Sequence, residues 1–211
     1  FTRRGINIKE YPAIEKHLLQ FKDRLMPRPK DWKGGEWKGR KPGPYKWYEI
    51  QDTIDYYKEF AKPKILYPDI AAHSQFTYAQ AETYMVNTLY FIPLDDLYFL
   101  GLINSKLLEC IIHSFSPPVR GGYYRYFSQY IEQLPIRTIN FSDPTDKALH
   151  DRMVEMVEQM LSLNKQLAAA KTAHEKTALQ RHIDATDRQI DLLVYELYGL
   201  TEEEIKIVEK A

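Results

Sequence analysis

Cysteine occurs once, as Cys110. A single thiol excludes both a disulfide framework and a cysteine zinc site, and it suits a reducing compartment, so the cytoplasm is the expected location. No run of the sequence approaches the ~18 apolar residues that a membrane-spanning helix needs. Proline and glycine are missing between Pro144 and Gly199, and past residue 140 the only aromatics are Phe141, Tyr195 and Tyr198. Net charge is missing as well, with 29 basic against 29 acidic side chains, but that balance conceals a gradient. Residues 1–68 carry 16 Lys and Arg against 9 Asp and Glu, residues 69–140 carry 4 against 6, and residues 141–211 carry 9 against 14. Charge asymmetry of this kind points to a polyanionic partner for the basic part. The first residue is Phe1 rather than Met, as expected of a piece of a longer polypeptide.

The proline-free C-terminal stretch is patterned for helices. Met153, Met156, Met160, Leu163, Leu167 and Ala170 step by threes and fours, and so do Leu179, Ile183, Thr186, Ile190, Leu193 and Leu197. Each series is a heptad-like seam. The polar run from Lys171 to Lys176 parts them, which predicts an antiparallel helical hairpin; one continuous helix in an intermolecular coiled coil is the alternative. Gly199 stands where a left-handed cap belongs, and Thr201 with Glu204 predicts a capping box for a short last helix.

The first 140 residues read as a mixed α+β domain, with residues 141–211 as the helical segment. Ile14, His17, Leu18 and Phe21 predict a short early helix. Residues 27–46 hold four prolines and four glycines and cannot form a regular element. Strands are expected at Lys64–Tyr67, Phe76–Tyr78 and Tyr84–Ile92. One helix is expected from Leu94 to Phe115, stopped by Pro117-Pro118, and another turn from Tyr126 to Glu132.

A catalytic set does not emerge. Ser116-Pro117-Pro118-Val119 resembles the tetrapeptide of amino-methyltransferases, but that motif needs an aromatic in the fourth place to stack a flipped base. No glycine-rich turn follows a strand to hold a methyl-donor cofactor. Pro68-Asp69 lacks the later acid-x-Lys of a nuclease metal site, Glu82 being followed by Thr83 and Tyr84. His73, His113, His174 and His182 have no ligand spacing, Cys110 falls on an apolar helix face, and the acidic residues of the hairpin read as a solvated surface.

A basic, aromatic loop is left. Arg28, Lys30, Lys33, Lys38, Arg40, Lys41 and Lys46 are interleaved with Trp32, Trp37, Tyr45, Trp47 and Tyr48, against only Asp31 and Glu36. Cations neutralise phosphates and release counterions, and rings beside them stack on bases or wedge into a groove. Arg120-Gly-Gly-Tyr-Tyr-Arg-Tyr126 repeats this composition in miniature.

These residues also carry a resemblance. Ile8 with Tyr11-Pro12, Trp47-Tyr48-Glu49-Ile50-Gln51, Phe60 with Lys62-Pro63-Lys64-Ile65, and Tyr67-Pro68-Asp69-Ile70 occur in order. Asn87-Thr88, Tyr90-Phe91-Ile92-Pro93, the Leu100 to Ser105 block, Tyr130-Ile131 and Leu134-Pro135-Ile136 follow. Over about residues 6–136 the chain resembles the TaqI-like C-terminal specificity domain of fused restriction–modification enzymes, and the stretch from Ile190 to Ile205 is similar to the end of such proteins. The resemblance implies a target recognition domain that binds double-stranded DNA and needs no cofactor of its own. It further implies an upstream adenine methyltransferase in the same polypeptide using S-adenosylmethionine, and a nuclease using Mg2+. On that reading Lys33, Lys38, Lys41 and Lys46 contact phosphates, with Lys30 and Tyr48 in the same loop, and Arg28 and Arg40 are candidates for guanine. Ser74 and Gln75 are candidates for adenine, Arg120 and Arg125 flank the duplex, and Tyr123 and Tyr124 pack on sugar or base. Trp47 and the Leu134 block are expected to close the core, and the hairpin to act as a spacer or docking element. The rival expectation is a protein-interaction module assembling through the hairpin seams.

Overall fold

Lys64–Pro68 (β1) is the most enclosed strand of the protein, its first four residues buried, because it lies between two neighbours. In the computed structural model, which describes residues 3–210, the chain divides by its contacts into residues 1–58 and 59–211. The first unit holds two short helices, Pro12–Leu19 (α1) and Lys22–Leu25 (α2), followed by the irregular segment. Pro12 sits in the first turn of α1, where a missing N–H costs nothing.

The second unit has two small antiparallel sheets. Ile70–Ala71 (β2), Thr77–Ala79 (β3), Leu89–Ile92 (β4), Pro118–Val119 (β5) and Tyr123–Arg125 (β6) join β1 in the orders β3-β1-β4 and β2-β6-β5. Ile65 pairs with Tyr78 on one side and Ile92 on the other. The strand expected over Tyr84–Ile92 is shorter than anticipated. Glu82 has a positive φ and its N–H donates to Phe60 O, so the chain turns until Leu89 reaches the sheet.

The single helix expected from Leu94 to Phe115 is two, Leu97–Asn104 (α3) and Lys106–Phe115 (α4). Ser105 leaves helical geometry at ψ 152° and its hydroxyl accepts the Leu108 N–H as an N-cap. Asp96 caps α3 in the same way through Phe99 N. Ser128–Ile131 (α5) is one turn.

The hairpin forms within the chain. Pro144–Ala169 (α6) and Ala173–Tyr198 (α7) pack along their seams, burying Met153, Met156, Val157 and Leu163 against Thr186, Ile190, Leu193 and Leu197. Thr172 and Glu175 make a capping box, Gly199 adopts φ 64°, and Thr201 with Glu204 caps Glu202–Val208 (α8). The root of the hairpin shares one core with the strands and with α3 and α4. Gly101 permits this: a Cβ there would lie 2.5 Å from Met153 Sδ and 2.9 Å from Val157 Cγ2. Tyr198 ties the end of α7 to the Leu134 block, donating to Pro135 O at 2.7 Å and accepting from Arg137 N at 3.1 Å. Cys110 is half-buried rather than enclosed. Among the described residues no helix is long and apolar enough to cross a membrane.

Candidate nucleic-acid interface

In the first unit the loop is held by its own backbone. Pro27 and Arg40 form a parallel bridge, Arg28 N donates to Arg40 O at 3.0 Å, and Arg40 N donates to Met26 O at 2.9 Å. These bonds pinch residues 28–39 into a closed excursion. Two of its three glycines are required by close approach: a Cβ on Gly39 would meet Met26 O at 2.3 Å, and one on Gly34 the Trp32 ring at 2.5 Å. Trp32 and Trp37 pack edge to face at 5.0 Å, with their indole N–H groups donating to Gly35 O and Met26 O. Trp32 nevertheless stays 44% exposed, a large apolar side chain in water beside cations.

The cations divide into two kinds. Arg40, expected as a base reader, is committed to the fold: its guanidinium donates to the carbonyls of Leu25, Glu49, Lys46 and Trp47 and lies 4.6 Å from the Tyr45 ring centroid. A guanidinium so engaged has no edge left for guanine, and Arg40 is therefore withdrawn from the contact set. Glu49, buried beneath it, accepts from Gly5 N and Lys46 N. In contrast, Arg28, Lys30, Lys33, Lys38 and Lys41 are exposed and take part in no ion pair among the described residues. Lys46 is also exposed, its ammonium 5.6 Å from the Tyr48 ring centroid, and hydrogen bonding to the Tyr48 side chain raises its pKa. Tyr48 and Trp47 are half-buried against each other, and Lys22, which composition did not single out, lies over Trp47.

In the second unit the Arg120 cluster is the turn of the β5–β6 hairpin. Val119 pairs with Tyr123, leaving Arg120, Gly121 and Gly122 at the tip, the two glycines at φ 94° and 80°. Arg120 and Tyr123 face solvent. Tyr124 does not: it stacks flat on His113 at 3.7 Å. His113, whose pKa burial lowers, also hydrogen-bonds the Tyr126 hydroxyl at 2.9 Å. Burial in turn pushes that phenol up to about 12. Arg125 pairs with Asp69 at 3.2 Å and lies over Phe127. Asp69 itself is fixed by its backbone bonds to Thr88 and Tyr126, in keeping with a turn after a strand. The Ser116 hydroxyl donates to Arg125 O at 2.6 Å and ends α4, which explains the methyltransferase-like tetrapeptide as a helix stop.

Ser74 and Gln75 lie on the β2–β3 connection. Ser74 N donates to Glu109, and Asn104 clamps Phe76 through both its amide and its carbonyl, at 2.9 and 3.0 Å. These bonds brace the connection, with Gln75 exposed and Ser74 half-buried. His73 approaches Glu109 at 3.2 Å. His73, Ser74 and Gln75 line one side of a cleft of about 640 Å³ whose other side is formed by the hairpin. Among the described residues no three His, Cys, Asp or Glu side chains are grouped to hold a metal ion.

The chain is 27% identical over 203 residues to the type II methyltransferase M.PaeR7I of Pseudomonas aeruginosa, covering 94% of this chain and 29% of that protein. It is 26% identical over 103 residues to the type II restriction enzyme and methyltransferase RM.Eco57I of Escherichia coli, 49% of this chain and 10% of that one. It is 22% identical over 211 residues to the type II methyltransferase M.BstVI of Geobacillus stearothermophilus, 98% and 30% respectively. The chain thus spans less than a third of the length of these relatives. The family model of the TaqI-like C-terminal specificity domain matches residues 3–136, from before the first helix to the Leu134 block, and the chain belongs to that family.

Proposed function

We propose that this chain is the sequence-reading module of a restriction–modification methyltransferase. It binds double-stranded DNA and leaves base flipping, adenine methylation and any cleavage to the rest of the same polypeptide. The observation that carries the reading is the set of exposed, unpaired cations at Arg28, Lys30, Lys33, Lys38 and Lys41, beside the exposed Trp32, inside a specificity-domain match.

The division of labour follows from chemistry. Solvated lysines on a closed loop suit phosphates, which need charge and little direction. A base edge needs a side chain held in place, with its polar end free. Gln75 meets this requirement on the connection braced by Asn104 and Glu109, and Arg120 meets the charge requirement at the tip of the β5–β6 turn. Tyr123, exposed beside Arg120, supplies a stacking face, whereas Tyr124 is occupied by His113. A protein-interaction module built on the hairpin seams is disfavoured, because their buried positions are already covered by the other arm and by the core around α3 and α4.

The test is duplex affinity across a salt series. Each phosphate neutralised contributes a slope of about −0.9 in log affinity against log salt, so the five loop cations by themselves contribute a slope near −4 to −5. Affinity that does not change with salt would overturn the proposal.

A further inference from the structure

The hairpin is longer than the core it packs on. From Asn164 to His182 only Leu167, Ala170 and Leu179 are even half-buried, so the last turns of α6 and the first turns of α7 project as a two-helix arm. This projecting part is charged differently from its root. Residues 143–163 and 183–198 together carry 9 acidic and 3 basic side chains, whereas residues 164–182 carry Lys165, Lys171, Lys176 and Arg181 against Glu175 alone. That one carboxylate is used at home, accepting the Thr172 N–H at 3.1 Å in the capping box. The four cations are exposed and take part in no ion pair among the described residues.

Helix stability does not account for all of them. Lys165 and Lys171 lie near the C-terminal end of α6, where a cation suits the dipole. Lys176 follows within the first turns of α7, where a cation opposes it. A spacer with no partner at its tip has no physical reason to collect positive charge there while its root stays acidic.

We infer that the hairpin tip is a second DNA contact, a phosphate-binding arm that holds the duplex backbone through Lys165, Lys171, Lys176 and Arg181. The inference rests on the DNA-reading function proposed above. The partner is the duplex backbone rather than a base edge, because flexible lysines on an exposed tip supply charge without fixed direction. The acidic root directs the duplex to the tip by repelling it elsewhere.

The test uses the full 211-residue chain and a random 40-base-pair duplex. A quadruple variant, Lys165→Gln, Lys171→Gln, Lys176→Gln and Arg181→Gln, is compared with a loop variant, Lys33→Gln, Lys38→Gln and Lys41→Gln. Because the tip residues are solvated, the quadruple variant retains its helix content and melting temperature. Its salt slope becomes shallower by about two to three, and its affinity at low salt falls five- to twentyfold. If the loop variant loses affinity while the quadruple variant binds with unchanged slope and strength, the arm is not a DNA contact, although the reading function stands. If the unaltered chain has no affinity for duplexes, both readings fall. Unchanged DNA binding together with lost association to an acidic protein would likewise overturn the inference and assign the tip to a protein partner.

Discussion

Asp191 accepts the backbone N–H of Lys106 at 2.9 Å, so a carboxylate on α7 satisfies the first turn of α4. Ser105 takes another of the free N–H groups there, and between them the start of α4 is capped from its own chain and from the hairpin. Asp191 is 4% exposed, and its hydrogen bond adds a polar tie between the hairpin root and α4 to the apolar core they share.

Burial pushes the Asp191 carboxyl up to about 6, against the pull of that hydrogen bond and of Lys106, with Asp187 and Glu209 adding to the push. In the unfolded chain the group titrates near 4, so between about pH 4 and 6 the folded form holds more protons. Stability should therefore fall as pH rises through that window. Asp187, raised mainly by burial, slopes the same way. Glu209, held low first by its hydrogen bond from Lys106, acts in the opposite sense and loses its contribution as pH falls below the ordinary glutamate range. Asp191→Asn keeps the acceptor and removes the buried charge. Urea melts should show it flattening the slope between pH 4 and 6 and gaining on the order of 1 kcal/mol at pH 7. Asp191→Leu, which strands the Lys106 N–H, should lose about 1–3 kcal/mol. An Asn variant with the parent's pH slope would show that the buried charge does not govern it.

The hairpin was legible in the sequence because threes and fours repeat over many turns without proline or glycine to interrupt them. The same periodicity misled over Leu94–Phe115. Leu100, Ile103 and Leu107 stay in phase across Ser105, and only the cap geometry shows that the helix ends there and starts again. The second sheet was illegible for a different reason, since strands of two and three residues are too short to show alternation. At the site, composition located the cationic loop but could not separate solvated charges from committed ones. Arg40 and Lys41 are neighbours of the same sign, and only the carbonyls of Leu25, Glu49, Lys46 and Trp47 distinguish them. Likewise nothing in the run Tyr123-Tyr124 indicated that His113 would occupy one ring and leave the other exposed.

Arg40 provides the second prediction. Its planar fork spans four carbonyls that a lysine ammonium cannot reach together, so Arg40→Lys is not conservative here. The variant should loosen residues 27–49, costing about 2–4 kcal/mol locally, and hydrogen exchange or limited proteolysis should detect it in that segment. DNA affinity should fall evenly across all sequences, because the loop loses its shape rather than a base contact. A fall confined to one recognised sequence, with the loop still protected, would return Arg40 to the base-reading set.

Asp69 and Arg125 lead to the third. Their side chains are 28% and 35% exposed, so the pair contributes less than about 1 kcal/mol to stability. Asp69 keeps its place by backbone bonds regardless, its N–H donating to Thr88 O at 3.0 Å and its carbonyl accepting from Tyr126 N at 2.8 Å. Its carboxylate therefore competes with DNA for Arg125 more than it supports the sheet. Asp69→Asn should leave the melting temperature nearly unchanged, steepen the salt slope by about one and raise duplex affinity three- to tenfold at low salt. Arg125→Gln should do the reverse, and in that background Asp69→Asn should bring no gain, since the cation it releases is gone. If the gain persists without Arg125, removal of one negative charge is enough to explain it, and Arg125 serves the sheet rather than the duplex.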